Sequence, residues 1–292
     1  MRRLIVNADD LGYTSGVNRA IFESHSAGIV TSTTLMAAGP AFTDACAGIA
    51  SFPRLGTGCH VVLTDGTPLS DASSIGSLVD PNSETPRFRD SLGQFAVRAL
   101  FGKMDPRHIE EESGAQIRKL QSAGISPTHV DTHKHTHIFP TILRPVLRAA
   151  RECGVRAVRN PFSACRSLSA SLLLNQPGVW TRWAELRVLS RFENMFRNIV
   201  LSHGFTTTDG TLGMEVTGVL DETQFLSIAQ NIPDGTWELV CHPGYNDAEL
   251  ARSYTRLKKS RAVELEVLTS PETRSALDKA GVELISYRDL TR

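Results

Sequence analysis

The run Thr128-His129-Val130-Asp131-Thr132-His133-Lys134-His135-Thr136-His137 is the densest group of chemistry-bearing side chains in the sequence. On a continuous strand its odd-numbered members would share one face, because successive side chains alternate. Five polar side chains on one face are costly to bury unless they bind a metal or one another. The spacing therefore predicts a strand ending near His133, with His135 and His137 lining a loop above it. A surface tract with only casual metal affinity is the competing reading. Asp9 and Asp10 follow the apolar run Leu4-Ile5-Val6, and both carboxylates can serve one site only where the strand ends and the chain bends. One Asp there would read as a helix N-cap, whereas two in succession favour a site. His60 lies in Cys59-His60-Val61-Val62-Leu63, where a lone His is ordinarily a hydrogen-bonded core residue. His242 precedes Pro243-Gly244-Tyr245, a turn, and Arg159 directly follows the short apolar segment 155–158.

Two imidazoles and a carboxylate make a sound ligand set for a catalytic divalent ion that keeps a position open for water. A second carboxylate nearby can take a proton from activated water, and a separate His can protonate a leaving group. Metal-assisted hydrolysis is the reaction class this implies. Metal-dependent phosphoester hydrolysis fits less well, because no Gly-rich phosphate cradle is present. A metal-holding carbohydrate or lipid-binding module without turnover is the alternative outside enzymes.

These residues need a frame that gathers strand ends. Short apolar strands at residues 4–7, 31–37, 58–63, 128–132, 155–158, 237–241 and 282–285 alternate with helical stretches at 15–27, 42–52, 92–101, 105–123, 142–152, 222–230, 248–268 and 272–279. Repeated β–α units imply a parallel sheet with right-handed crossovers. The polar candidates fall at strand ends, mostly carboxyl ends, where α/β barrels place their sites, so a (β/α) barrel in one domain spanning 1–292 is expected. A polar stretch over 64–90 is too long for an ordinary connection and suggests a lid or substrate loop. Residues 161–218 read as a mainly helical insertion.

The chain has 292 residues, 41% of them hydrophobic, enough for a large core, which excludes disorder and disulfide-dependent mini-folds. Its 31 basic and 31 acidic residues balance, which argues against nucleic acid as a partner. No membrane-spanning run or signal peptide is evident. The cysteines, five in number and without a CxxC pair, read as reduced thiols in a cytoplasmic protein. Val188, Leu189, Phe192, Met195, Phe196 and Ile199 share one helical face, with Arg182, Arg187, Arg191 and Arg197 off its centre and Trp180 and Trp183 before it. Such a face could rest on a membrane surface, or pack on the barrel or on a partner subunit of a homodimer.

Taken together, Ile5-Val6-Asn7-Ala8-Asp9-Asp10-Leu11-Gly12, Gly28-Ile29-Val30-Thr31-Ser32, Gly58-Cys59-His60, Thr128–His133 and His242-Pro243-Gly244-Tyr245 resemble the YdjC-like carbohydrate deacetylase family almost end to end. Leu11 departs from the Phe common in that family, an apolar exchange of little consequence. The resemblance implies a barrel-like fold related to polysaccharide deacetylases and an N-acetylated amino-sugar substrate. It assigns one divalent metal, magnesium or zinc, to Asp10, His60 and His133, with Asp9 as general base and His242 as proton donor. Arg159, His135, His137 and Tyr245 are the expected substrate contacts. A narrower similarity, carried by residues 58–63, 131–137 and 206–210, is to the branch associated with hopanoid biosynthesis, and implies an N-acetylglucosaminyl hopanoid.

Overall fold

The computed structural model describes residues 1–89, 91–163 and 187–290. Among the described residues seven strands, all parallel, form one sheet: β1 (Arg2–Leu11), β2 (Ser32–Leu35), β3 (Gly56–Val61), β4 (Val130–Thr132), β5 (Gly210–Leu212), β6 (Gly235–Cys241) and β7 (Val282–Leu284). Their order is β4-β3-β2-β1-β6-β5, with β7 on the N-terminal half of β1. Parallel bridges Val130–Val158, Ala157–Thr206 and Ser163–Thr211 continue the ladder from β4 round to β5. The sheet thus curls into a barrel-like α/β fold with helices outside.

The strands follow the sequence reading with three differences. The first strand is longer than expected and includes both aspartates. Residues 155–158 contribute isolated bridges rather than a full strand, and β5 lies inside the stretch expected to be helical. The helix expected over 248–268 is two helices, Ala248–Arg252 and Lys259–Thr269, broken where Ser253 turns to extended backbone. Elsewhere local chemistry sets the ends. Thr14 caps Ser15–Ser26, Asp105 with Pro106 starts Pro106–Ser122, and Asp221 with Gln224 forms a capping box.

Along β1 the alternation is decisive. Leu4, Val6 and Ala8 join the large apolar cluster between sheet and helices, which draws on residues from Leu4 to Val282. Ile5 instead packs with Ala157, Ile285 and Tyr287 as a small apolar plug inside the barrel. Asn7 and Asp9 continue that inner face upward, so the lumen above the plug is polar.

The segment 64–89 has no helix or strand beyond a Val79–Phe88 bridge, yet it is tied down. The buried Glu112 carboxylate accepts from the backbone N–H groups of Leu69 (3.0 Å) and Ser70 (2.8 Å), and Phe88 N–H donates to Gly66 O (2.8 Å). Of the options open for the amphipathic face of residues 188–199, the structure shows packing on the barrel. Phe196 and Ile199 are buried, Leu189 and Phe192 pack on the main cluster, and only Val188 and Met195 are exposed. The amphipathic pattern is therefore explained by barrel packing. Arg182, Trp180 and Trp183 lie outside the described residues. Among those described, no helix is long and apolar enough to cross a membrane.

Candidate metal centre

Asp10 adopts a positive φ of 70°, and the β1–β2 register shifts between Ala8 and Leu11. That kink lets neighbouring carboxylates face the same mouth, which an unbroken strand forbids. The other non-glycine residues with positive φ among those described are Asp65, Lys134 and His135. All four lie in or just beyond the carboxyl ends of β1, β3 and β4, the kind of backbone strain that concentrates at functional sites. At Lys134 and His135 it bends the 3₁₀ turn His133–Ile138, so that the histidines leave the strand register.

Three ligand atoms meet at the mouth. Asp10 Oδ1 is 3.5 Å from His60 Nε2 and 3.7 Å from His133 Nδ1, and the two ring nitrogens are 3.3 Å apart. A point equidistant from these atoms lies about 2.0 Å from each, the bonding distance of zinc or magnesium to such donors. The donor set fits a divalent ion. His60 Nδ1 lies 2.8 Å from Asp131 Oδ1, and since an ionised carboxylate only accepts, Nδ1 carries a proton and Nε2 is the nitrogen turned to the mouth, able to ligate an ion that displaces its second proton. Burial opposes charge on His60, but Asp131, Asp9 and Asp10 outweigh it and raise its pKa to about 9. The same negative charge would draw a cation to this ring. Gly58, two residues earlier on the same face, leaves the space taken by the His129 ring, which would come within 2.5 Å of any Cβ.

Beneath this triad lies an ionic layer centred on Arg159, which is fully buried. Its guanidinium donates to Asp9 Oδ2 (2.8 Å) and Oδ1 (2.6 Å), to Glu238 Oε1 (2.8 Å) and to Asp131. Burial would raise the Asp9 pKa, yet Arg159 reverses this and holds it well below the ordinary carboxylate range. Glu238 shares the same cation and also accepts from Tyr287; burial dominates there and its pKa rises to about 6. Asp9, His60 and Asp131 also cluster, but Arg159 already bridges those two carboxylates, so a metal has no place among them.

Arg159, an expected substrate contact, lies fully buried beneath the mouth and clamps Asp9 from below. His137 is likewise fully buried, its ring bonded to Thr132 Oγ1 (2.7 Å) and Arg159 O (3.2 Å), a structural role. Tyr245 leaves the mouth, its hydroxyl donating to Glu23 and its ring lying under Arg19 (3.9 Å), both on Ser15–Ser26. His135 keeps partial exposure, with a buried Nδ1 that has no partner. His242 comes to the site, Nε2 lying 4.0 Å from Asp9 Oδ2, and burial lowers its pKa to about 4 despite Asp9 and Asp10. Behind it Glu264, its pKa raised to about 7 by burial, accepts from His242 N–H at 2.6 Å.

Sequence reasoning missed Arg261, Glu238 and Tyr287, and gave Asp131 no role. For Asp131 the signal was present, as the middle member of the alternating His129, Asp131, His133 face.

Parallel strands curled round a buried ionic lumen, with a two-His, one-Asp ligand set at their carboxyl ends, define the class: a barrel-like α/β protein with a candidate metal centre at its mouth. The pattern of the YdjC-like protein family matches residues 3–279, and the chain belongs to that family. A Geobacillus stearothermophilus protein named carbohydrate deacetylase is 35% identical over 289 residues, covering 99% of this chain and 98% of that protein. A Brevibacillus brevis protein of the same name is 32% identical, covering 99% of each. A solved Enterococcus faecalis V583 structure, named for cellobiose-phosphate cleavage, superposes with a TM-score of 0.76 at 27% identity, covering 99% of this chain and 98% of that one.

Proposed function

We propose that this chain is a metal-dependent carbohydrate deacetylase that removes the acetyl group from an N-acetylated amino sugar, with Asp10, His60 and His133 as ligands of one divalent ion. The carrying observation is the Asp10–His60–His133 triangle at the barrel mouth, in a chain similar over its whole length to proteins named carbohydrate deacetylase. A divalent ion bound there supplies Lewis acidity, polarising the acetamide carbonyl and making water acidic enough to lose a proton near neutral pH.

Asp9 is the carboxylate placed to take a proton from water, and because Arg159 makes it a weak base, the proton has to move on. Asp9 Oδ1 already takes bonds from Arg159, Asn7 (2.9 Å) and Thr34 (3.2 Å), whereas Oδ2 takes one, from Arg159. The spare lone pair is on Oδ2, the oxygen that faces His242. His242 is neutral at pH 7 and must gain a proton before it can give one. Across 4.0 Å one water can pass the proton from Asp9 to His242, which then delivers it to the departing amine as acetate leaves. His135 remains the candidate contact for sugar hydroxyls.

Acetate release from N-acetylglucosamine, chitobiose and a GlcNAc-lipid tests this reading. Activity should vanish with a chelator and return with zinc or magnesium. Full turnover in protein shown to be metal-free would sink it. The motif likeness to the hopanoid-associated branch supports a lipid-linked sugar as the preferred substrate; equal rates on GlcNAc-lipid and chitobiose would remove that refinement.

A further inference from the structure

Each of the adjacent aspartates has its own buried arginine, and the two pairs differ in geometry. Arg159 grips both oxygens of Asp9. Arg261, on Lys259–Thr269, reaches Asp10 from outside the barrel layer and donates only to Oδ2, at 2.5 Å. Its Nε donates to Leu257 O (3.0 Å), which fixes the guanidinium, and its side chain is 1% exposed. The break between Ala248–Arg252 and Lys259–Thr269 and the bare Cα of Gly244 make room for it: a Cβ at Gly244 would meet Arg261 Cδ at 2.8 Å. Asp10 Oδ1 alone is left facing His60 and His133.

We infer that Arg261 is a positioning residue that restricts Asp10 to one-oxygen ligation, keeping coordination positions free for water and the substrate carbonyl. This rests on the ligand assignment proposed above. A carboxylate with both oxygens free can chelate a divalent ion and consume one more position; a guanidinium on Oδ2 removes that option. The guanidinium also sets a fixed positive charge on the carboxylate that would ligate the ion, which would weaken metal binding. The site thus gives up affinity to keep an open coordination sphere.

Two measurements test this, on cobalt(II)-loaded and zinc-loaded protein. In the wild type, a metal-loaded crystal structure should show Oδ1 on the ion and Oδ2 on Arg261. Chelation by both oxygens overturns the inference. In Arg261→Met, which fills the same space without charge or donors, cobalt d–d absorption should weaken as coordination number rises. Zinc should bind on the order of tenfold more tightly, because a like charge has been removed. Turnover should fall at the same time. Tighter metal with slower turnover is a split that general disruption does not give, since disruption weakens both; an unchanged spectrum, or loss of both, overturns the inference. Arg261→Lys, which retains the charge, should return affinity towards wild type. If wild-type protein binds neither ion, the ligand assignment itself fails and this inference falls with it. If Arg261→Met does not fold, the wild-type structure decides alone.

Discussion

Asp9 and Asp10 are neighbours in sequence, yet they belong to two layers of the barrel that handle charge in different ways. In the lower layer the cation is built in. One guanidinium serves Asp9, Asp131 and Glu238, and the third carboxylate, least well compensated, has its pKa raised to about 6. In the upper layer Arg261 touches only the back of Asp10, and the remaining oxygen shares the mouth with two imidazoles. On the proposed reading, a bound divalent ion would complete the charge balance there. The lower layer is a permanent support, and the upper one is a socket.

The largest effect should come from exchanging the two carboxylates for amides one at a time. Asp9→Asn removes the proton acceptor and should cost about 10²–10⁴ in kcat while the metal stays bound. Asp10→Asn replaces a charged ligand oxygen with a weak neutral one and should lose or loosen the metal. Elemental analysis beside kcat reads both. If Asp9→Asn loses metal and Asp10→Asn keeps it, socket and support are assigned the wrong way round.

Next in size is Arg159→Met. It leaves three carboxylates in a fully buried layer without their cation. Removing one partner from a buried ion pair costs about 3–5 kcal/mol, so urea denaturation should show a loss of that order, with Arg159→Lys in between. A variant as stable as wild type would mean that the layer is already protonated or hydrated, and the contrast between the layers would disappear.

How much of this was legible follows the same division. The candidate socket was legible chiefly through the family resemblance, which named Asp10, His60 and His133; taken alone, His60 in β3 read as an ordinary core histidine, and only the His129–His137 run and the paired aspartates after β1 pointed to metal chemistry by residue type. The support was only half readable. Arg159 was noticed at a strand end, but a strand end gives the direction of a side chain and not its depth. Depth depends on barrel closure through short bridges such as Ala157–Thr206, which have no pattern of their own. Arg261 was invisible for a different reason. It sits in an ordinary helix, and its partner is 251 residues away. His137 was misplaced because two positive-φ residues, Lys134 and His135, interrupt the alternation on which the reading relied.

Asp131 joins the two layers, since it bonds Arg159 below and His60 above. Asp131→Asn should therefore affect both, but moderately. Without its carboxylate, His60 no longer has the partner that fixes its tautomer, and loss of such a partner typically weakens metal affinity about 10–100-fold. Titration with zinc against a competing chelator measures it. Unchanged affinity would show that His60 is oriented by the strand alone and that the layers act independently.

The smallest effect is expected at Tyr245, and it tests where the socket ends. Tyr245 is an expected substrate contact as part of the His242-Pro243-Gly244-Tyr245 motif that carries the family resemblance. In the structure the turn carries it past the mouth and onto Ser15–Ser26, where the hydroxyl donates to Glu23 and Arg19 covers the ring. Tyr245→Phe removes one partly exposed hydrogen bond. That is about 1 kcal/mol of stability, since water replaces part of what is lost. Because neither Asp10, His60, His133 nor Asp9 is among its hydrogen-bond partners, kcat and KM for acetate release should stay within about twofold of wild type, less than 0.5 kcal/mol in activation free energy. A tenfold rise in KM at unchanged kcat would show that the ring swings back to hold the sugar, and would extend the mouth along the loop after β6.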